Sequence, residues 1–166
     1  VAGLTIGKKN YAAVDAEMKE IALKASTLGN RLAALVKLDA EAYSKVSAAH
    51  KLPKEPAAAA ADRTAAVTSA LLEAAEVPLQ TARACVEVAK LAVTVAEKGN
   101  ANAVTDAGVA ALLAEAACRG AAYNVLVNVA ALEGKSKGAV LAREAEQLSK
   151  QAGELAKKTT LMVEKA

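Results

Sequence analysis

The chain has no tryptophan, no phenylalanine and only three tyrosines among 166 residues. That argues against the aromatic platforms on which single-stranded nucleic acid stacks. It also removes the bulky anchors of a helix lying in a membrane surface. A single histidine, His50, excludes a His-based triad or a multi-histidine metal site within the chain. The two cysteines, Cys85 and Cys118, fall inside helical patterns without metal-type spacing. They read as small buried hydrophobes in a reducing compartment, and no metal is expected. Only three prolines are present, and two of them flank one loop. No signal peptide and no uninterrupted apolar run of membrane length is visible, so the cytoplasm is expected and a membrane is not. A net charge of +3 without an arginine-rich stripe gives no reason to expect a nucleic-acid partner.

What is abundant is alanine, the best helix former and a residue that lets helices approach closely. The expected fold is an all-α, antiparallel up-and-down bundle of long helices forming a single domain over residues 1–166. Apolar residues step by three and four through Met18, Ile21, Ala25, Leu28, Leu32, Leu35, Ala42, Val46 and Ala49. That predicts a helix from about Ala12 to His50, with a kink or short break at Gly29-Asn30. A second helix is predicted from Ala57 to Lys98, bent rather than ended by Pro78. A third covers Val104 to Leu132, the turn Glu133-Gly134-Lys135-Ser136 follows, and a last one spans Gly138 to Glu164. The third is apolar on almost every side, which predicts a buried core helix interrupted only by Asp106, Glu115, Arg119, Asn124 and Asn128. Residues Val1 to Gly7 read as the tail of a truncated first helix.

Several polar residues stand where chemistry is expected. Asp39 falls on the apolar seam between Leu35 and Ala42, the place of a site acid or base or of a paired carboxylate. Asn124 and Asn128 lie one turn apart, fit to hold a flat heterocycle or to bond a neighbouring helix. Glu115 and Arg119 have the spacing of an ion pair. Asn100, Asn102 and Asp106 cluster at a helix start, where turn and cap chemistry also favours them. Lys8 and Lys9 are a solvated pair or an anion clamp. Antiparallel packing gathers Lys8, Lys9, Asn100 and Asp106 at one end and puts Asp39, Asn124 and Asn128 near the other. Either there are two sites, or an antiparallel dimer joins the two ends.

Six segments are similar to the cyclodeaminase/cyclohydrolase family of folate enzymes. They are Leu4–Tyr11, Asp39–Tyr43, Lys51–Lys54, Val77-Pro78-Leu79, Gly99–Asn102 with Thr105-Asp106, and Ala122–Asn128. They occur in the family's order over essentially the whole chain. The family's Gly-rich segment and first helix precede the point at which this sequence begins. The resemblance implies a homodimeric helical domain acting on a tetrahydrofolate derivative, with no cofactor beyond that substrate. One family reaction closes 5-formiminotetrahydrofolate to 5,10-methenyltetrahydrofolate with loss of ammonia. The other interconverts 5,10-methenyl- and 10-formyltetrahydrofolate with water. On this reading Asp39 and Asp106 are candidate catalytic residues. Asn124 and Asn128 orient the pterin, Lys8 and Lys9 meet the glutamate carboxylates, and Asn100 and Asn102 shape the opposite wall. The alternative is a non-catalytic helical bundle, which would have no use for polar residues at 39, 124 and 128.

Overall fold

The computed structural model describes residues 1–134 and 136–166. Lys135, in the expected 133–136 turn, lies outside the described residues. Among those described there are five α-helices: α1 (Ala2–Thr5), α2 (Asp15–His50), α3 (Ala57–Lys98), α4 (Val104–Ala130) and α5 (Ala139–Val163). Short 3-10 turns precede α2 and α4.

The 42-residue α3 is the spine, and α2, α4 and α5 all pack on it. The core is a ladder of small residues. Ala75 and Leu79 of α3 meet Ala122 and Val125 of α4 and Ala145 of α5. Further along, Ala82, Cys85 and Val86 meet Cys118, Ala121 and Ala152. Beyond them Ala92 meets Ala111 and Ala156. Residue numbers rise along α3 and α5 while they fall along α4, so α4 runs antiparallel to both. On the other flank Met18 and Ile21 of α2 meet Val95 of α3, and Leu35 and Ala42 meet Ala74 and Val77. Helix α2 is therefore antiparallel to α3 as well. With alanine or cysteine at most contacts, the axes come close enough to bury a core without aromatic bulk.

Two expectations about local structure are corrected. Helix α2 runs unbroken through Gly29 and Asn30. One helix-interior glycine costs only about 1 kcal/mol against alanine, and the long apolar stripe outweighs it. Helix α4 is not a fully enclosed core helix. Only 33% of its most apolar window is buried within the chain, although Ala101–Ala130 is long and apolar enough to cross a membrane. Its inner flank faces α3 and α5, while Val109, Leu112, Leu113, Tyr123 and Val127 are more than half exposed. Arg119 donates to Glu115 on this helix, and the pair is partly solvated. Lipid would penalise such a pair.

Polar ties complete the frame. Arg83 of α3 makes a bidentate bond to Glu144 of α5 (2.6 and 2.8 Å) and a third bond to Glu76 (2.7 Å). The Arg83 guanidinium holds the Glu144 carboxyl below the usual carboxylate range. Lys98 bonds Glu17 across α3 and α2 (2.8 Å), and Arg63 donates to the His50 carbonyl at the end of α2 (3.3 Å).

Candidate functional site

Pro78 has no N–H, so the carbonyl of Ala74, four residues earlier, loses its partner within α3. That carbonyl lies on a buried residue, where an unpaired acceptor is costly. Asn128 of α4 supplies the donor: its Nδ2 is 2.9 Å from the Ala74 oxygen and 3.0 Å from the Asn124 oxygen. The proline and the asparagine thus form one joint between α3 and α4. The Nδ2 of Asn128 is given to backbone carbonyls, which is the helix-bonding role its position offered.

One turn from this joint, a cleft of about 300 Å³ opens between α2 and α4, with α3 as its floor. Asp39 stands on the α2 wall, Pro78 and Thr81 form the floor, and Gly120 and Asn124 form the α4 wall. Asp39 is exposed to solvent at this cleft and is not buried on a seam. The reason is that α2 packs chiefly on α3 alone, so its buried stripe is narrow: Leu35 and Ala42 are covered and the residue between them reaches the edge. Asn124 leans its Nδ2 onto the Gly120 carbonyl (3.2 Å), leaving its Oδ1 free to accept. The cleft therefore offers a carboxylate, a hydroxyl and an amide oxygen around an apolar floor. Larger surface grooves exist, about 740 Å³ along Ala60–Leu72 and about 620 Å³ between α4 and α5. Neither brings a carboxylate and an amide to face each other.

The other end of the bundle is organised around the turn before α4. The Asn100 backbone N–H donates to Thr5 Oγ1 (2.9 Å), and its side-chain Nδ2 to the Leu4 carbonyl (3.1 Å). Its Oδ1 accepts from the Asn102 N–H (3.1 Å). Tyr11 accepts from the Ala101 N–H (3.1 Å). Asn100 is thereby spent on holding the turn to α1. Asn102, Lys8 and Lys9 are exposed there. Asp106, in the first turn of α4, lines a second depression of about 430 Å³ with Val1–Gly3, Gly29 and Leu32. Leu32 borders both depressions. At 1.5 Å per residue, Asp106 and Asn124 are about 27 Å apart along α4. Within one chain, then, Asp39 and Asn124 come together, and Lys8, Lys9, Asn102 and Asp106 do not join them.

A family model described as formiminotransferase-cyclodeaminase matches residues 1–163. The chain belongs to that family. It is 43% identical over 155 residues to the methenyltetrahydrofolate cyclohydrolase of Methylorubrum extorquens, covering 93% of this chain and 74% of that protein. It is 30% identical to the formimidoyltransferase-cyclodeaminase of Rattus norvegicus over 129 residues, which is 24% of that longer protein. Among solved structures, the formiminotetrahydrofolate cyclodeaminase of Thermotoga maritima superposes with a TM-score of 0.89 at 29% identity. That match covers 99% of this chain and 78% of the other. The all-helical bundle is thus the fold of this family.

Thr81 and Gly120, both in the cleft of this family member, were not among the residues singled out from sequence. The signal for Thr81 was its position three residues after Pro78, which puts both on one face of α3. Gly120 gave a different signal, a glycine in the middle of an otherwise alanine- and leucine-rich helix. Both cysteines are free and buried as expected. Burial raises the Cys118 thiol to about 11, which makes it a poor nucleophile.

Proposed function

We propose that this chain is a folate one-carbon enzyme whose reaction is the hydrolysis of 5,10-methenyltetrahydrofolate to 10-formyltetrahydrofolate. The observation that carries the proposal is the cleft in which the Asp39 carboxylate faces the Asn124 amide across the Pro78–Thr81 floor. The choice of water over ammonia rests on the similarity to a cyclohydrolase over 93% of the chain. Cyclodeamination is the second reading, favoured by the likeness to the Thermotoga structure.

In the hydrolysis, water oxygen bonds to the carbon bridging N5 and N10 and gives up a proton. The carbon–N5 bond then breaks, its electron pair goes to N5, and N5 takes a proton. Loss of the remaining hydroxyl proton leaves the formyl group on N10, with one proton released overall. Asp39 receives the proton from water and passes one to N5, the task of a general base that becomes a general acid. The Oδ1 of Asn124 accepts a ring N–H and fixes the plane of the pterin, and Thr81 holds the attacking water.

Asp39→Asn separates this role from a structural one. Because Asp39 is exposed, the variant keeps the wild-type melting temperature while kcat falls by about 10²–10⁴-fold, the usual worth of general acid–base catalysis. Equal losses of stability and turnover would make Asp39 structural.

The working unit in this proposal is a homodimer. The exposed residues Val109, Leu112, Leu113, Tyr123 and Val127 make α4 an apolar face with no cover among the described residues. An antiparallel α4 pair about a two-fold axis near its middle carries Asp106 toward Asn124 of the partner subunit. That is how the Lys8, Lys9, Asn102 and Asp106 end would complete the Asp39 cleft. Sedimentation velocity is expected to give twice the chain mass for the wild type and the chain mass for Leu113→Glu. A wild-type monomer with full turnover would show that the site is complete in one chain.

A further inference from the structure

The glycines of the helices and their ends divide into two kinds. At Gly99, Gly108 and Gly138 a Cβ would fall within 3 Å of neighbouring atoms: the Val95 carbonyl oxygen at 2.5 Å, Val163 Cγ2 at 2.9 Å and Val129 Cγ1 at 2.5 Å. Close packing inside the chain accounts for those three. Gly29 of α2 and Gly120 of α4 are different, and of these two Gly120 lines the Asp39 cleft. It sits in the interior of α4, with ordinary helical backbone, and a Cβ there would meet nothing within 4 Å. Alanine would serve α4 better, since glycine in a helix interior has the larger entropy to lose on folding. The unfilled space beside Gly120 is the cleft that holds Asp39, Thr81 and Asn124. The side chain of Asn124, bonded to the Gly120 carbonyl, would not touch that Cβ either. No described residue therefore requires glycine at 120; what does is either a body inside the cleft or a partner helix on the exposed face of α4, and the test below separates the two.

We propose that Gly120 is a specificity-determining position: its missing side chain lets a flat ring lie against the α4 backbone between Asp39 and Asn124. This rests on the reading of the cleft as the folate site. A planar heterocycle needs a wall without relief on one side, and Gly120 provides it one turn from the Asn124 amide that holds the ring edge. The residue does not touch protons in transit. It sets which ring fits, so its replacement acts on binding and not on the chemical step.

The test uses Gly120→Ala, Gly120→Leu and, as a control on α5, Gly153→Ala, whose Cβ would make an ordinary 3.6 Å contact with Glu115. Melting temperature, sedimentation and steady-state kinetics with 5,10-methenyltetrahydrofolate are measured on each. Gly120→Ala is expected to melt about 2–4 °C higher than the wild type, as a helix-interior glycine replaced without a clash should. Its KM is expected to rise by about 10-fold or more, the usual effect of one methyl group in a fitted pocket. The kcat should stay within about threefold of wild type. Gly120→Leu should melt no lower than wild type and lose measurable binding, while Gly153→Ala keeps its KM. A raised melting temperature with unchanged KM in both Gly120 variants overturns the proposal while leaving the folate reading intact. So does a change in sedimentation without a change in KM, because the glycine would then serve a subunit contact. A wild-type protein with no turnover or binding removes the reading and the inference together.

Discussion

The joint between Pro78 and Asn128 makes a sharp thermodynamic prediction. Substituting Asn128→Leu removes the amide that reaches the Ala74 oxygen at 2.9 Å. Ala74 is 6% exposed, so water does not readily replace the donor. Leaving such an acceptor unpaired costs about 1–3 kcal/mol. Pro78→Ala changes the terms by restoring an N–H at position 78, from which the Ala74 carbonyl takes an ordinary helical bond. In that background Asn128 has no orphan to satisfy, and Asn128→Leu should cost less than about 1 kcal/mol. The two substitutions are thus expected to be coupled by about 1–2 kcal/mol. The coupling is read from urea denaturation of the wild type, both single variants and the double variant, followed by far-ultraviolet circular dichroism and compared at equal m-value. Additivity within about 0.5 kcal/mol would refute the joint and return Asn128 to the pool of ligand-binding candidates.

The Arg83 network and one glycine give two more tests. Glu144 has its folded-state pKa depressed by Arg83. Its contribution is therefore present above the ordinary carboxylate range and is lost as pH falls through the lowered value. Arg83→Met should cost about 1 kcal/mol at neutral pH, discounted because these side chains are 36–39% exposed. It should also flatten the acid limb of the stability curve, and an unchanged slope below the carboxylate range would contradict the assignment. At Gly138, a Cβ would sit 2.5 and 2.8 Å from the two methyls of Val129 and 3.0 Å from Leu132. Gly138→Ala is therefore expected to lose about 1–3 kcal/mol by overpacking the start of α5, seen as a lowered melting temperature.

Much of this molecule is legible in its residue order, for identifiable reasons. The apolar steps from Met18 to Ala49 mark α2 because a period near 3.6 admits no other regular element. Pro56, immediately before α3, and Gly99, immediately after it, punctuate that helix as helix-flanking proline and glycine do. Periodicity finds a stripe but not its width, and that is why Asp39 read as a seam residue and stands instead at the open edge of a narrow one. The exposed flank of α4 escaped the reading for a related reason. An all-round apolar helix states that cover is needed, not whether the same chain supplies it. The orphan carbonyl of Ala74 follows from Pro78 alone, yet its donor lies 54 residues away and only the packing of α4 on α3 identifies it. Asn100 shows the converse: turn chemistry and site chemistry favour the same residue, and its bonds to Thr5 and Leu4 decide for the turn.

Whether the Asp39 cleft is a folate site is decided by the absorbance of 5,10-methenyltetrahydrofolate with the purified protein, followed in both directions. The wild type is expected to speed its decay to 10-formyltetrahydrofolate well above the rate in buffer, and Asp39→Asn to abolish the acceleration without unfolding. Formation from 5-formiminotetrahydrofolate with ammonia release, and no accelerated decay, would replace the hydrolase with the cyclodeaminase. A folded protein that accelerates neither reaction would contradict the assignment of the Asp39 cleft as a folate site.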